Sequence, residues 1–410
     1  MRILLINHYA GSLAHGMEYR PYYLAREWVR QGHEVQIVAA TQSHVRTVQP
    51  RAFVGGAMRE KIDGIDYLWL STPSYQGNGV GRVLNIASFC CRLALNARRI
   101  ASEFRPDVVV ASSTYPMDIW PASFLARAAD AKLVHEIHDL WPLSPIELGG
   151  MSPRHPFIRL CQAAENFACR NADVVVSMLP RVQEHLSAHG LDLRKLHIVP
   201  NGVLTEEWER PGEPLDPELA GHIADARGRG RFVVAYAGAH GVANALDSLL
   251  DAAKCLADSP FAFMLVGDGP ERARLLRRVE KESLINVRMF GPIAKKQIPS
   301  LLARVDAGYI GLQREPIFRF GVAPNKLMDY MMAGCTVLSA IEAGNDPVSE
   351  SGCGVTVQAE SPVAIAEGLR HLASLSPDER AAMGRRGRAF IREHHTWPVL
   401  ADRFVAAVSS

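Results

Sequence analysis

Phe232-Val-Val-Ala-Tyr-Ala-Gly-Ala-His-Gly-Val-Ala-Asn244 joins a short apolar run to a glycine-containing loop. The same pattern opens the chain, where Arg2–Ile6 leads into the loop His8–Gly16. A helical pattern follows each loop, at Tyr19–Gln31 and at Ala243–Leu256. An apolar run, a loop and a helix form the start of a βαβ unit, so their recurrence predicts an α/β protein with two doubly wound, Rossmann-like domains.

Length and composition agree with two domains. A chain of 410 residues is too long for one ordinary core and suits two α/β domains of about 200 residues each. Hydrophobic residues make up 48% and charged residues 21%, which excludes a disordered protein. The formal net charge is only +2, so we expect no nucleic-acid partner.

Further strand candidates repeat the apolar, β-branched pattern in both halves. They are Glu34–Ala39, Asp107–Ala111, Lys132–Glu136, Asp173–Ser177, His197–Val199, Phe261–Val266, Val287–Phe290, Ala307–Gly311 and Thr336–Ala340. The Pro- and Gly-rich passage between Pro211 and Gly230 is interpreted as the linker. We therefore predict one Rossmann-like domain at residues 1–203, a second at 204–376, and closing helices at 377–410.

The cysteines and the apolar segments bear on location. Seven cysteines are scattered without a CxxC pair or zinc-like spacing to histidine, which favours small buried residues in a reducing compartment. The first apolar run is too short for a signal peptide, and no stretch reaches the roughly 20 apolar residues that span a bilayer. We expect a cytoplasmic protein without a bound metal.

The two glycine loops are the first candidate ligand sites, because open parallel sheets bind ligands beyond the carboxyl ends of their strands. A helix N-terminus behind a glycine loop suits an anion such as a diphosphate. The alternative for the first loop, His8–Gly16, is a simple turn, and the recurrence of the pattern in the second half favours a ligand site. The candidate substrate-binding residues here are Gly16, Gly238, His240, Gly241 and Asn244.

A third loop follows a predicted strand in His135-Glu-Ile-His-Asp-Leu-Trp-Pro142. His138 and Asp139 are candidate catalytic residues, since histidine can move protons near neutral pH or bind a sugar hydroxyl. The alternative is a structural His–Asp pair that fixes the loop.

The strongest candidate is the segment Arg319-Phe-Gly-Val-Ala-Pro-Asn-Lys-Leu-Met-Asp-Tyr-Met-Met-Ala-Gly334. Lys326 and Asp329 lie three apart near the start of a predicted helix, on one face. A lysine can neutralise a diphosphate leaving group, and a carboxylate can accept both ribose hydroxyls. We predict Lys326 as catalytic and Arg319, Asn325 and Asp329 as substrate-binding. The alternative is an exposed ion pair of little energetic weight.

This segment resembles the donor-site signature of the family 4 glycosyltransferases, most closely the N-acetylfucosamine transferase branch of O-antigen assembly. The supporting motifs span the chain: Gly32-His-Glu-Val35, Asp139-Leu-Trp-Pro142, Pro200-Asn-Gly-Val203, Gly267-Asp-Gly-Pro270, Ala343-Gly-Asn-Asp-Pro347 and Trp397. The resemblance implies a retaining GT-B enzyme whose two Rossmann-like domains face each other across a cleft. Residues 1–203 would then form the acceptor-side domain, 204–376 would bind the nucleotide sugar, and the closing helices at 377–410 would cross back to the first domain. It also implies a UDP-sugar substrate, no cofactor or metal, and a role in surface polysaccharide synthesis.

Two positions depart from the resembled pattern. Such enzymes carry two glutamates eight positions apart around this helix; here the second is Asp329 and the first falls on Gly321. Their Arg/Lys pair in the second glycine loop is also absent, with Asn244 near the lysine position. We infer that Lys326, together with Arg319, supplies the positive charge for the leaving diphosphate.

The acceptor side offers one further feature, a predicted helix at residues 78–104 that contains Arg82, Arg92, Arg98 and Arg99. A basic amphipathic helix can lie on an anionic membrane, which fits the polyprenyl-diphosphate-linked saccharide acceptor that the resemblance implies. The protein would then be peripheral on the inner face of a bacterial cytoplasmic membrane. The alternative is a helix packed on the sheet with a solvated basic face.

Two other functions remain open at this point. A UDP-sugar epimerase would share a two-domain cleft, but it would need acid/base carboxylates around the sugar and no acceptor surface. A non-catalytic relative would bind nucleotide sugar without turning it over, and the two departures leave that reading open.

Overall fold

The computed structural model describes residues 1–16, 19–50, 56–77 and 79–410. They form two units, one of Met1–Asn201 with Trp397–Ser410 and one of Gly202–Thr396. Each unit is an α/β fold around a largely parallel sheet, which confirms the predicted fold class of two doubly wound halves.

The first unit holds an eight-stranded sheet within the described residues, in the order β3-β4-β2-β1-β5-β6-β7-β8. Its strands are β1 (Arg2–Ile6), β2 (Glu34–Ala40), β3 (Ala57–Ile62), β4 (Ile65–Leu70), β5 (Val108–Ala111), β6 (Lys132–Ile137), β7 (Val174–Ser177) and β8 (Leu196–Ile198). Its helices before the unit boundary are α1 (Tyr19–Arg30), α2 (Val80–Phe104), α3 (Ile119–Ala129), α4 (Leu143–Glu147), α5 (Pro156–Asn171) and α6 (Gln183–Ala188). All neighbouring strands are parallel except the β3–β4 hairpin.

The second unit holds a six-stranded, wholly parallel sheet in the order β11-β10-β9-β12-β13-β14, again for the described part of the chain. Its strands are β9 (Phe232–Ala237), β10 (Phe261–Val266), β11 (Val287–Phe290), β12 (Ala307–Gly311), β13 (Thr336–Ala340) and β14 (Gly354–Thr356). Its helices are α7 (Pro217–Gly228), α8 (Leu246–Cys255), α9 (Arg272–Lys281), α10 (Ile298–Leu302), α11 (Asn325–Ala333), α12 (Pro347–Ser351), α13 (Pro362–Ser374) and α14 (Pro377–His394).

Burial on both faces explains why the central strands are continuous apolar runs. Every residue of β9 and of β10 is buried. Along β9 the side chains alternate between two cores, with Val233 in one and Val234 in the other. A strand covered by helices on both sides has no solvent face, so it needs apolar residues at every position.

The structure contains elements that the sequence patterns did not indicate. Strand β4 has an apolar run that was not predicted, whereas its hairpin partner β3 exposes its charged side chains and lacks such a run. The edge strand β14 has only three residues. Strands β3 and β14 lie at sheet edges, where one side of the strand needs no partner and short or charged strands are tolerated.

The predicted linker contains a packed helix, which corrects the prediction for residues 211–230. Asp216 caps α7 by accepting a hydrogen bond from the Glu218 amide at 2.9 Å, and Pro217 occupies the first turn. Leu219 and Ile223 are buried in the core of the second unit. The chain passes between units earlier, between residues 201 and 202.

The closing helices also differ from the prediction that residues 377–410 cross back together. Helix α14 stays in the second unit, where it packs on α11 so closely that a Cβ on Gly384 would lie 1.9 Å from the Gly334 carbonyl oxygen. Only α15 (Trp397–Ser409) belongs to the first unit. There the Phe404 ring lies 4.9 Å from that of Trp28.

None of the helices in the described residues combines the length and the hydropathy that crossing a bilayer requires.

Two substitutions in α7 test whether this segment is core. Ile223→Ala removes a buried side chain, so the free energy of unfolding should fall by about 2–5 kcal/mol. Gly221→Ala, at an exposed position with open space around it, should raise that free energy by about 0.5–1 kcal/mol. Urea unfolding followed by circular dichroism measures both. Equal stability of the two variants would show that α7 does not pack as described.

Candidate active site

The glycine loop of the second unit rests on the loop that follows β10. The Gly238 amide donates to the Val266 carbonyl at 2.9 Å, and the His240 amide donates to the Asp268 carbonyl at 2.7 Å. A Cβ on Gly267 would lie 1.9 Å from the Gly238 oxygen, so no other residue fits there. The motif Gly267-Asp-Gly-Pro270 therefore supports the glycine loop by close backbone packing.

Lys326 joins α11 to the glycine loop. Its ammonium donates to Asn244 Oδ1 at 3.0 Å and lies 5.5 Å from the centre of the Tyr236 ring. Its aliphatic stem crosses Gly238, where a Cβ would come within 2.5 Å of Lys326 Cδ. The structure thus brings together three residues predicted for one site: Lys326, Gly238 and Asn244.

The charge of Lys326 is not neutralised by the protein. No carboxylate of the described residues lies within 4 Å of its ammonium, so the alternative of an ion pair with Asp329 does not apply. Burial lowers the pKa of Lys326. A lysine ammonium has three donors, and the bond to Asn244 uses one. An anion at this position would gain charge-assisted hydrogen bonds and would favour the charged lysine.

Asp329 lies one turn further along α11 and is partly exposed. Its carboxylate accepts no hydrogen bond from the described residues. Burial raises the pKa of Asp329 to about 7; the nearby Lys295 opposes the shift and Glu207 adds to it. Lys295 and Glu207 form an ion pair with each other at 2.8 Å. The Asp329 carboxylate is thus accessible and available to hydroxyl donors.

The second glycine loop places its other predicted residues differently. The His240 side chain is fully buried, so it offers no surface to a substrate. The prediction that it binds substrate is corrected: its backbone amide holds the loop in place. Gly241 begins the turn at 242–244 that precedes α8. Asn244 also donates to the Ala239 carbonyl at 3.1 Å, which fixes its amide so that the oxygen faces Lys326.

Arg319 does not join Lys326. It is exposed, its guanidinium donates to the Pro316 carbonyl at 2.6 Å, and it stacks on Phe320. It lines an open recess of about 660 Å³ beyond the ends of β12 and β13. Asn325, the first residue of α11, is likewise exposed. No described contact joins Arg319 to Lys326, and the inference that the two share the charge of the leaving diphosphate stays a prediction.

Gly321 has a backbone that a glutamate could adopt only under strain. Its φ is 109° and its ψ 167°, in the region that L-residues rarely enter. The next residue, Val322, exchanges two hydrogen bonds with the Asn345 side chain, at 2.8 and 3.0 Å. The departure at this position is therefore part of the loop geometry, and Asn345 of the motif Ala343–Pro347 holds that geometry.

In the first unit, His138 belongs to a buried polar network. Its Nε2 lies 3.0 Å from Ser112 Oγ and 3.2 Å from Glu136 Oε2. Ser112 Oγ donates to the same Glu136 oxygen at 2.6 Å. His138 keeps 10% of its side chain exposed and Glu136 none, so the histidine is the member of the network that a substrate can reach.

Arg20 anchors this network from α1. Its guanidinium donates two hydrogen bonds to Glu136 Oε1, at 2.9 and 3.1 Å, and one each to the carbonyls of Val199 and Pro200. Burial by itself would raise the pKa of Glu136, but Arg20 and then His138 outweigh it and hold that pKa well below its usual range. Glu136 is thus a permanent carboxylate that orients His138.

Asp139 has a structural position, which differs from its predicted catalytic role. It accepts hydrogen bonds from the Leu140 amide at 2.9 Å and from Ser144 Oγ at 2.5 Å. These bonds fix the loop that leads into α4. The predicted alternative of a His138–Asp139 pair is also corrected, because the partner of His138 is Glu136.

Gly16 ends the first loop, next to residues 17–18, which lie outside the described part of the chain. Its φ is 66°, and a Cβ there would collide with Thr47 Oγ1 at 2.3 Å. Within the loop, Tyr67 donates to the Gly11 carbonyl at 2.7 Å. Contacts with Thr47 and Tyr67 of the same unit therefore fix this loop, as expected for the alternative of a simple turn.

The sequence patterns missed the pairing of Arg20 with Glu136. Arg20 lies in an amphipathic helical pattern, where an arginine is expected on the solvent side. A glutamate inside an otherwise apolar strand was the available signal, since a buried charge requires a partner.

Replacing Asp329 with Asn should change how stability depends on pH. An acid with a folded-state pKa of about 7, against an ordinary 3.8, is stabilising when protonated and loses that contribution as pH rises through 7. We expect Asp329→Asn to unfold at higher temperature than wild type at pH 7.5, with the difference shrinking towards pH 4. Calorimetry across this range measures it. A difference that does not vary with pH would contradict the raised pKa.

Both halves of the chain match known protein families. Residues 15–202 match the family described as "Glycosyl transferase 4-like domain", and residues 231–374 match "Glycosyl transferases group 1". A protein of Escherichia coli strain K12 named as the colanic acid biosynthesis glycosyl transferase WcaI is 24% identical over 360 residues, covering 84% of this chain and 85% of that protein.

Two solved structures share the fold. Sucrose-phosphate synthase from Thermosynechococcus elongatus superposes with a TM-score of 0.69 at 16% identity, over 99% of this chain and 97% of that one. HepE of Anabaena in complex with UDP superposes with a TM-score of 0.66 at 16% identity, over the full length of both chains. With two α/β units that match two glycosyltransferase domains in sequence, the chain is a glycosyltransferase of the GT-B type.

Proposed function

We propose that the protein is a retaining glycosyltransferase that moves a sugar from a UDP-sugar to a saccharide acceptor in surface polysaccharide synthesis. The donor sugar would be an N-acetylated or deoxy hexosamine, by resemblance to the N-acetylfucosamine transferases. The name of the E. coli relative supports a polysaccharide product, and the UDP bound by HepE supports the nucleotide. The observation that carries the proposal is the unneutralised Lys326 beside a glycine loop, one helical turn from Asp329, whose carboxylate has no donor among the described residues.

In this proposal Lys326 stabilises the leaving diphosphate. When the bond between the sugar and the β-phosphate breaks, negative charge grows on the phosphate oxygen. The ammonium is already held at the loop by Asn244, so its charge needs no rearrangement to meet that oxygen. Because the site is partly desolvated, the interaction is stronger than it would be in water.

Asp329 accepts the two hydroxyls of the ribose. Two oxygens with no protein donor match a vicinal diol, and each hydrogen bond to an ionised carboxylate is stronger than a neutral one. A carboxyl with a pKa of about 7 is ionised above neutral pH. Nucleotide binding would keep it ionised, since the hydroxyls stabilise the charged form.

His138 binds a sugar hydroxyl from the first unit. Glu136 and Ser112 fix its imidazole, and the remaining exposed edge can contact the sugar. Retention of configuration follows from the family resemblance. In that mechanism the departing phosphate oxygen accepts the proton of the acceptor hydroxyl while the new glycosidic bond forms on the same face.

UDP release tests the donor site. Purified enzyme is supplied with a panel of UDP-N-acetylhexosamines and UDP-hexoses, with and without lipid-linked acceptor. Lys326→Ala should lower kcat by about 10²–10³, because the lost interaction forms in the transition state. Asp329→Ala should mainly raise KM for the donor, since its hydrogen bonds form in the ground state as well.

Lys296→Ala is the matched control, because Lys296 is an exposed lysine of the same unit that pairs with Glu213. It should leave kcat and KM unchanged. Full activity of Lys326→Ala would refute the proposed role of Lys326. UDP release that is independent of any acceptor would refute transfer to a saccharide.

The acceptor would be lipid-linked, and the exposed face of α2 supports contact with a membrane. That face is apolar along most of its length, which corrects the prediction of a basic face. Arg82 turns inward to Tyr9, at 3.1 Å from its hydroxyl. The exposed face is instead apolar along the first five turns, and its members are Val80, Leu84, Ala87, Cys91 and Leu95. Arg98 and Arg99 are exposed directly after this stripe, as on a helix that lies on anionic lipid. Asn78, included in the predicted helix, lies outside the described residues.

Vesicle binding tests this surface. The double variant Leu84→Glu/Leu95→Glu should lose binding to phosphatidylglycerol vesicles in a flotation assay, because it places charges in the apolar stripe. Leu193→Glu changes an exposed leucine elsewhere in the same unit and should bind as wild type. Equal flotation of all three proteins would exclude α2 as the membrane contact.

A further inference from the structure

A second polar cluster lies in the first unit, between α5 and α6, and the proposed transfer does not use it. Glu165 of α5 is buried, and its Oε1 lies 2.7 Å from His185 Nε2 of α6. His189, just after α6, places its Nε2 3.9 Å from Glu165 Oε2. One ligand atom from each of these three side chains lies within 4.8 Å of the others.

The orientation of His189 is informative. Its Nδ1 lies 2.7 Å from the His185 carbonyl oxygen, which can only accept, so Nδ1 carries the proton. In the neutral imidazole, Nε2 then presents a lone pair towards a carboxylate oxygen. A cation between that nitrogen and the carboxylate oxygen could bind both.

The arrangement has the parts of a metal site. His189 follows the end of α6 and its ring centre lies 4.4 Å from that of His185, so both imidazoles can reach one ion. Glu165 of the neighbouring α5 completes the set. Metal-binding histidines commonly donate their other nitrogen to a backbone carbonyl, as His189 does. Gln162 donates to Glu165 Oε2 at 2.7 Å, which orients the carboxylate in the same way.

We propose that His185, His189 and Glu165 bind a divalent transition-metal ion, with Zn²⁺ as the best fit. Two imidazoles and one carboxylate suit zinc, and the fourth tetrahedral position would hold water. His189 keeps 25% of its side chain exposed, so an ion can enter from solvent. The ion would link α5 to α6 and stabilise the folded first unit, since it binds the folded chain alone.

The cysteine and histidine spacing gave no indication of this site. The pair His185-x₃-His189 was not recognised there because its third ligand comes from 20 residues upstream, in another helix.

The test uses the full chain without a histidine tag, stripped of metal by a chelator. Cys91 and Cys255 are exposed free thiols, so both are replaced by serine to remove competing ligands. Calorimetric titration with Zn²⁺ should give one site per chain, and Zn²⁺ should raise Tm. Co²⁺ should give a visible absorption band of a tetrahedral nitrogen–oxygen site.

His189→Gln is the decisive variant, because it leaves the His185–Glu165 contact in place and should fold. It should weaken Zn²⁺ binding by at least about tenfold and abolish the rise in Tm. His371→Gln removes an exposed histidine of the second unit and should bind Zn²⁺ as the parent does. Absence of Zn²⁺ binding, or equal binding by His189→Gln and the parent, would overturn the proposal.

Discussion

The passage of the Lys326 side chain over Gly238 is the contact on which the second unit's site depends. Because Gly238 has no side chain, the lysine stem can lie on the loop backbone and bring its ammonium to Asn244. Gly267 also packs closely against the backbone of this loop. Tyr330 of α11 adds a bond, since its hydroxyl accepts from the Ala237 amide at 2.8 Å. Loop and helix are therefore positioned as one piece before any ligand arrives.

In the first unit a buried charge pair, rather than close packing, positions the candidate site residue. Arg20 and Glu136 are both buried, and burying either charge without the other would strongly destabilise the fold. Arg20 satisfies its remaining donors on the carbonyls of Val199 and Pro200, so one side chain ties α1, β6 and the end of the unit together. His138 inherits its orientation from this network. In both units a buried polar side chain, Asn244 in one and Glu136 in the other, holds the candidate residue.

The sequence predicted the parts of this fold that depend on local pattern. Strands such as Phe261–Val266 and Ala307–Gly311 have the predicted bounds because burial on both faces requires an unbroken apolar run. Helix α7 was not predicted because its Gly and Pro residues suggested a linker, whereas Pro217 in fact lies in the first turn of the helix. Lys326 was predicted as a site residue from its motif, and the structure places it beside the glycine loop. The partners Arg20 and Glu136 are 116 residues apart, and such distant pairing leaves no mark in a local pattern.

The positive φ of Gly321 has a consequence for substitution at this position. A single substitution to glutamate would place a side chain on a backbone that resists it, while Asn345 continues to hold the neighbouring Val322 in place. A glutamate at that position would therefore require the loop backbone to change its conformation. A substitution here is first a change of backbone and only then a change in the groups that the loop presents.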